Sequence, residues 1–186
     1  VMAGATLDRQ EIVVTNGILQ VGAEKRGLLG DSSAWVTIRD RGTFDLHAMS
    51  QSADSQLTTH QKLYRISGAG VDDQGAIVNR GANGDPVARL HTVHLAGDAT
   101  VSSTKRFDLR PNGASELQGR PQLYGPTNTL TVKGPGVGVS GQSFCLIDTD
   151  VNLGALHLVD NACISLETGS KETISNGVEI ANSYLQ

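Results

Sequence analysis

Two carboxylates stand close together in Leu146-Ile-Asp-Thr-Asp-Val151, and Asp148 with Asp150 is the pair best spaced for acid and base work. Residues at i and i+2 of a strand share one face. Glycoside hydrolysis needs two carboxyl groups, one to protonate the leaving oxygen and one to activate water or attack. Two aligned carboxylates also suit calcium, the one ion the sequence offers ligands for, and no other cofactor is expected. Neither role is the default. No partner carboxylate stands at the equivalent place one repeat away, so solvent-facing turn residues are the first expectation. Asp45 and Asp72-Asp73 share that weakness. No residue is assigned as catalytic, and the chain is not expected to be an enzyme.

The remaining reactive side chains are scattered. His47, His60, His91, His94 and His157 show no zinc spacing such as His-Glu-x-x-His, and no Cys-x-x-Cys is present. His94 and His157 each lie between two apolar residues and are read as one repeat position pointing outward. Cys145 and Cys163 either form a disulfide across adjacent coils or remain thiols near the core; their separation leaves both open. No serine stands in a Gly-x-Ser-x-Gly elbow, and no glycine loop carries the lysine of a phosphate site.

Aromatic residues make up only 4% of the chain, which makes their placement informative. Trp35 shares parity with Thr37 and Arg39 and is expected on an outer face, where an indole offers a platform for a sugar ring. Covering a coil end is the alternative for it. Tyr124, in Pro121-Gln-Leu-Tyr-Gly-Pro126, is the candidate second platform. Arg39, Arg110 and Gln122 are the polar residues chosen to meet sugar hydroxyls. Tyr64 shares parity with Ile66 and is expected in the core, as are Phe44, Phe107 and Phe144. Phe44 and Phe107, each followed by Asp, are read as equivalent positions.

The elements that must position these residues are strands. Four segments repeat without gaps, two apolar residues flanking one other and then a turn: Val36-Thr-Ile38, Val93-His-Leu95, Leu130-Thr-Val132 and Leu156-His-Leu158. A looser copy opens at Ile12-Val-Val14 and a partial one lies at Val178-Glu-Ile180. Alternation with period two means strands with one buried face. Spacings of roughly 24 to 26 residues between neighbouring copies at each end fall in the range of solenoids. Insertions are expected over Ser50 to Gln61 and over Asn79 to Arg89. The expected fold is all-β, a right-handed parallel β-helix of about seven coils, with a β-sandwich as the alternative.

Composition agrees with this reading. A chain of 186 residues suits one core, so residues 1–186 are taken as a single β-helix domain excised from a larger multidomain protein. The 22 glycines fit many turns between short strands. With 15 Lys+Arg against 19 Asp+Glu and no basic run, nucleic acid is excluded as a partner. No stretch reaches the ~20 apolar residues of a spanning helix, and no membrane partner is expected.

The segments Asn16 to Gly22, Val36 to Leu46 and His94 to Val101 resemble the β-strand repeats of bacterial autotransporter passengers and related secreted β-helix proteins. In size and in lacking catalytic residues, the chain also resembles the carbohydrate-binding β-helix modules attached to xylanases. Both resemblances imply that the larger protein is secreted. The second resemblance implies a non-catalytic module that targets a covalently linked catalytic domain to plant cell-wall polysaccharide, xylan for example. The first implies a structural or adhesive passenger segment. A polysaccharide lyase or hydrolase acting through Asp148 and Asp150 is the third expectation.

Overall fold

Apolar residues at alternate positions put Val36 and Ile38 on one face of a strand and Thr37 on the other, and the chain repeats this device along its length. The computed structural model describes residues 11–20, 34–46, 62–80, 88–111, 119–134, 144–167 and 169–186. Its strands are β1 (Ile12–Gln20), β2 (Trp35–Asp45), β3 (Leu63–Gly68), β4 (Ile77–Asn79), β5 (Ala88–Leu90), β6 (Thr92–Ser103) and β7 (Phe107–Leu109). They continue as β8 (Gln122–Lys133), β9 (Phe144–Leu146), β10 (Asp150–Val159), β11 (Cys163–Leu166), β12 (Lys171–Ile174), β13 (Val178–Ile180) and β14 (Tyr184–Leu185). Among the described residues the one helical element is a short 3-10 turn at Val71–Asp73, and no helix is long and apolar enough to cross a membrane.

One sheet runs β1-β2-β3-β6-β8-β10-β12, with β4 pairing β2 and β6 and with β13 pairing β10; the other runs β14-β11-β9-β7-β5. From β6 onward the chain passes from the first sheet to the second and back. Every ladder among the described residues is parallel. Hydrogen bonds from one level of strands to the next join residues such as Ala162 and Ser183, 21 apart in sequence, Arg120 and Asp150, 30 apart, and Asn128 and Leu95, 33 apart. This all-β, parallel and repeating arrangement is consistent with a β-solenoid. A sandwich is built from antiparallel ladders, which the described strands do not form.

Register turns the alternation into stacked columns. Val36 lies beside Tyr64, Tyr64 beside Val93, Val93 beside Leu123 and Leu123 beside Val151, and all five are buried. Each large apolar side chain in such a column contributes about 1.5–3 kcal/mol through burial. Tyr64, expected in the core, is wholly buried, and burial pushes its phenol well above the usual range. Phe44 packs on Tyr64 with ring centroids 5.4 Å apart, and Phe107 stacks on Phe144 at 4.5 Å.

The long strands break register at one level, between Val14 and Asn16, Ile66 and Gly68, His94 and Ala99, and Leu153 and Ala155. Bulges of this kind bend a strand. Gly68 sits there with φ of +85°, and a Cβ on it would lie 2.5 Å from the Asp40 carbonyl oxygen, so no other residue fits without moving backbone.

The strand pairings correct three sequence expectations. Val36 and Val93 lie before the break, whereas Leu130 and Leu156 lie after it, so the four repeat copies belong to two different columns. Both arms of a bent strand obey the same apolar alternation, and the pattern alone does not separate them. His94 and His157 are consequently not one position, since His94 lies beside Arg65 and Tyr124, and His157 beside Thr131 and Glu179. Phe44 and Phe107, both buried, lie in different sheets, beside Ile77 and Phe144 respectively. The segment Ser50 to Gln61 lies outside the described residues. The second expected insertion begins within β4 and ends within β5, so its ends are strand.

Candidate functional site

The outward positions of the first arm form a column complementary to the core column. Thr37, Arg65, His94, Tyr124 and Asn152 stand side by side across β2, β3, β6, β8 and β10. Each is outward because its strand neighbours, such as Tyr64 and Ile66 around Arg65, occupy the core. Trp35 enters this face two positions before Thr37.

Its side chain reaches across β3. The indole and the His94 imidazole have centroids 5.1 Å apart at an interplanar angle of 49°, and His94 meets Tyr124 at 5.4 Å and 52°. The guanidinium carbon of Arg65 lies 4.5 Å from the Trp35 ring centroid, a cation–π contact. His94 Nε2 is 3.4 Å from the Gln122 side-chain oxygen, to which it donates when that nitrogen carries the proton. Tyr124 is 45% exposed, so its ring is open to a ligand. Three rings, one cation and one amide therefore share a single surface row.

Beside the row lies a groove of about 340 Å³ bordered by Glu11, Val13, Thr37, Arg39, Arg65 and Ser67. The Thr37 hydroxyl donates to the Glu11 carboxylate. Arg39 lies 3.9 Å from Asp40, with both side chains exposed. Arg65 belongs to both the groove and the row. Of the residues chosen from sequence, Trp35, Tyr124 and Gln122 fall in the row and Arg39 in the adjoining groove.

Arg110 lies elsewhere. It follows β7 in the second sheet, where its Nη1 stands 3.4 Å from Asp108, while Arg106 Nε approaches the same carboxylate at 2.7 Å. Asp108 is wholly buried; burial raises its pKa, against the lowering pull of Arg106 and then Arg110. Cys145 lies beside Asp108 in register, and burial, then the Asp108 charge, pushes its thiol up to about 12. Such a sulfur is no nucleophile at neutral pH. Cys145 and Cys163 are both buried thiols, and Cys145 lies beside Ser165, so the disulfide alternative does not form.

Asp148 and Asp150 do come together, but around a cation. Arg120 Nη1 donates to Asp148, its Nε donates to Asp150 at 2.7 Å and its Nη2 donates to the Gly169 carbonyl. Asp148 has φ of +47° and lies in the turn before β10, so the two carboxylates do not share a strand face as expected. Among the described residues no three His, Cys, Asp or Glu side chains are grouped to hold a metal ion. His91 is buried against Thr92, its pKa lowered by burial, and His157 stands 3.7 Å from Glu179. His47 and His60 lie outside the described residues.

Sequence reasoning missed Arg65 and His94 as members of the row. The signal existed in Tyr64-Arg-Ile66 and Val93-His-Leu95, which share the apolar-x-apolar frame of Val36-Thr-Ile38. Comparison with known proteins finds no matching family model, no matching curated protein and no matching solved structure.

Proposed function

We propose that the chain is a right-handed parallel β-helix of about seven coils that binds polysaccharide along the row formed by Trp35, Arg65, His94 and Tyr124, without chemistry of its own. The observation that carries this reading is the run of contacts from the Arg65 cation over Trp35 to His94 and on to Tyr124, with Gln122 beside it. Ring faces take the C–H faces of sugars, and the amide, phenol and guanidinium edges take hydroxyls. Parallel strands set such groups about 4.8 Å apart from level to level, a spacing on the scale of a sugar unit. A secreted module, linked to an enzyme and directed to plant cell-wall polysaccharide such as xylan, is the form of this function that the resemblance to xylanase modules supports.

Affinity electrophoresis against a panel of plant and microbial polysaccharides, with reducing-sugar release measured in parallel, tests the reading. Retardation without sugar release, lost in Trp35→Ala, is the expected result; sugar release, or no retardation by any glycan, overturns it.

A structural passenger segment is the second reading, and it draws on a different observation. Val178, Ile180, Tyr184 and Leu185, on β13 and β14, are 40 to 50% exposed, so a further strand level stacked on them would bury apolar surface.

A further inference from the structure

We infer, resting on the glycan-binding reading, that the ligand is acidic: a uronate-bearing polysaccharide whose carboxylate sits in the groove between Arg39 and Arg65 while a neighbouring sugar rests on Trp35. The Arg39 and Arg65 side chains both border one groove, and the Arg65 guanidinium lies over the Trp35 ring beside it. Among the described residues no acidic side chain forms an ion pair with Arg65, which is exposed. Arg39 has Asp40 at 3.9 Å with both side chains open to water, a contact of at most about 1 kcal/mol that an incoming anion displaces readily. Glu11, the carboxylate bordering the groove, already accepts the Thr37 hydroxyl. Two arginines and one carboxylate thus border the groove, which leaves it with an excess of one positive charge.

Guanidinium groups match a carboxylate in geometry, offering two parallel N–H donors to its two oxygens. Resting against the Trp35 ring restricts the Arg65 side chain in advance and reduces the ordering cost of binding. The remainder of the molecule does not supply the attraction, because the chain carries a net charge of −4. An acidic polymer is repelled by the average surface and held only where cations are concentrated. A neutral glycan would use the rings and leave the groove empty.

The test compares polygalacturonate, its carboxyl-reduced derivative, xylan and dextran sulfate as ligands of the intact chain, by affinity electrophoresis and titration calorimetry. Polygalacturonate is expected to bind at least about tenfold tighter than the carboxyl-reduced polymer, as charge-assisted bidentate contacts would give. Arg39→Gln, outside the row, should remove that difference while retaining binding to the reduced polymer; Arg65→Gln should remove it and also weaken binding of both polymers, as should Trp35→Ala. Equal binding of the two polymers, or binding of xylan alone, overturns the acidic ligand and leaves the glycan reading standing. Dextran sulfate binding as tightly as polygalacturonate, and indifferent to Trp35→Ala, overturns it in favour of a plain charge patch. Failure of all four polymers to bind overturns both. Circular dichroism of each variant separates a lost contact from a lost fold.

Discussion

The Trp35 and His94 rings meet at 5.1 Å although β3 runs between their strands. The contact exists because Trp35 pairs with Leu63, two positions before Arg65, and its side chain leans over β3 toward the next strand. His94 in turn meets Tyr124, so the imidazole joins two rings that would otherwise be separate. His94→Ala should break the platform in the middle. With an aromatic contact worth ~1 kcal/mol, glycan affinity should fall about three- to tenfold, and His94→Phe should restore most of it. Trp35 is the one tryptophan in the chain, so its emission should shift in His94→Ala and on ligand addition to the wild type. Unchanged affinity in His94→Ala would show that the rings act separately.

Strands and the core were legible in sequence because burial imposes period two, which Val36, Ile38, Tyr64 and Ile66 obey, and their parallel pairing was legible from the spacing of the repeat. The bend at Gly68 was not legible, since both arms of a bent strand carry the same alternation. Misplacing it merged His94 with His157 and hid the partners of His94. Trp35 and Tyr124 were found from parity and scarcity. Arg65 was passed over because a lone arginine on a strand face reads as solvated surface; only the register, which places it beside His94, gives it a role. Asp148 and Asp150 were recognised as a pair, but their cation comes from Arg120, thirty positions earlier, and nothing local announces it.

Phe107 and Phe144 form a stacked pair in the second sheet, both 2% exposed or less. The level above supplies Ile164 beside Phe144, so a truncated ring leaves a cavity walled by rigid strands. Phe107→Ala should therefore cost about 3–5 kcal/mol, the range for large core truncations. Urea unfolding should show this as a lower midpoint with an unchanged slope. A loss below about 1 kcal/mol would mean that the stack is loosely packed.

Arg120 donates to Asp148 and Asp150 together, offsetting one of their two charges, and caps the Gly169 carbonyl. All three charged side chains are partly exposed, which limits what the network contributes. Arg120→Ala should lower stability by about 1 kcal/mol, less at high salt. Because the guanidinium occupies the space between the carboxylates, millimolar calcium should leave the melting temperature of the wild type unchanged and raise that of Arg120→Ala. Stabilisation of the wild type by calcium would make the pair a metal site in its own right.

Cys145 supplies a pH dependence whose sign follows from its place beside Asp108. Burial and that carboxylate push the thiol from the ordinary 9.0 up to about 12. Between these values the unfolded chain has released a proton that the folded chain retains, so rising pH favours unfolding. Stability should fall progressively from about 9 to about 12, and the fall should be shallower in Cys145→Ala. Tyr64, raised by burial, steepens the alkaline limb in both proteins, so the difference between them isolates the thiol. Native protein at about pH 8 should also resist iodoacetamide at Cys145, since the thiolate is the reactive form. Rapid native labelling there, or identical alkaline limbs, would contradict the placement of this sulfur against Asp108.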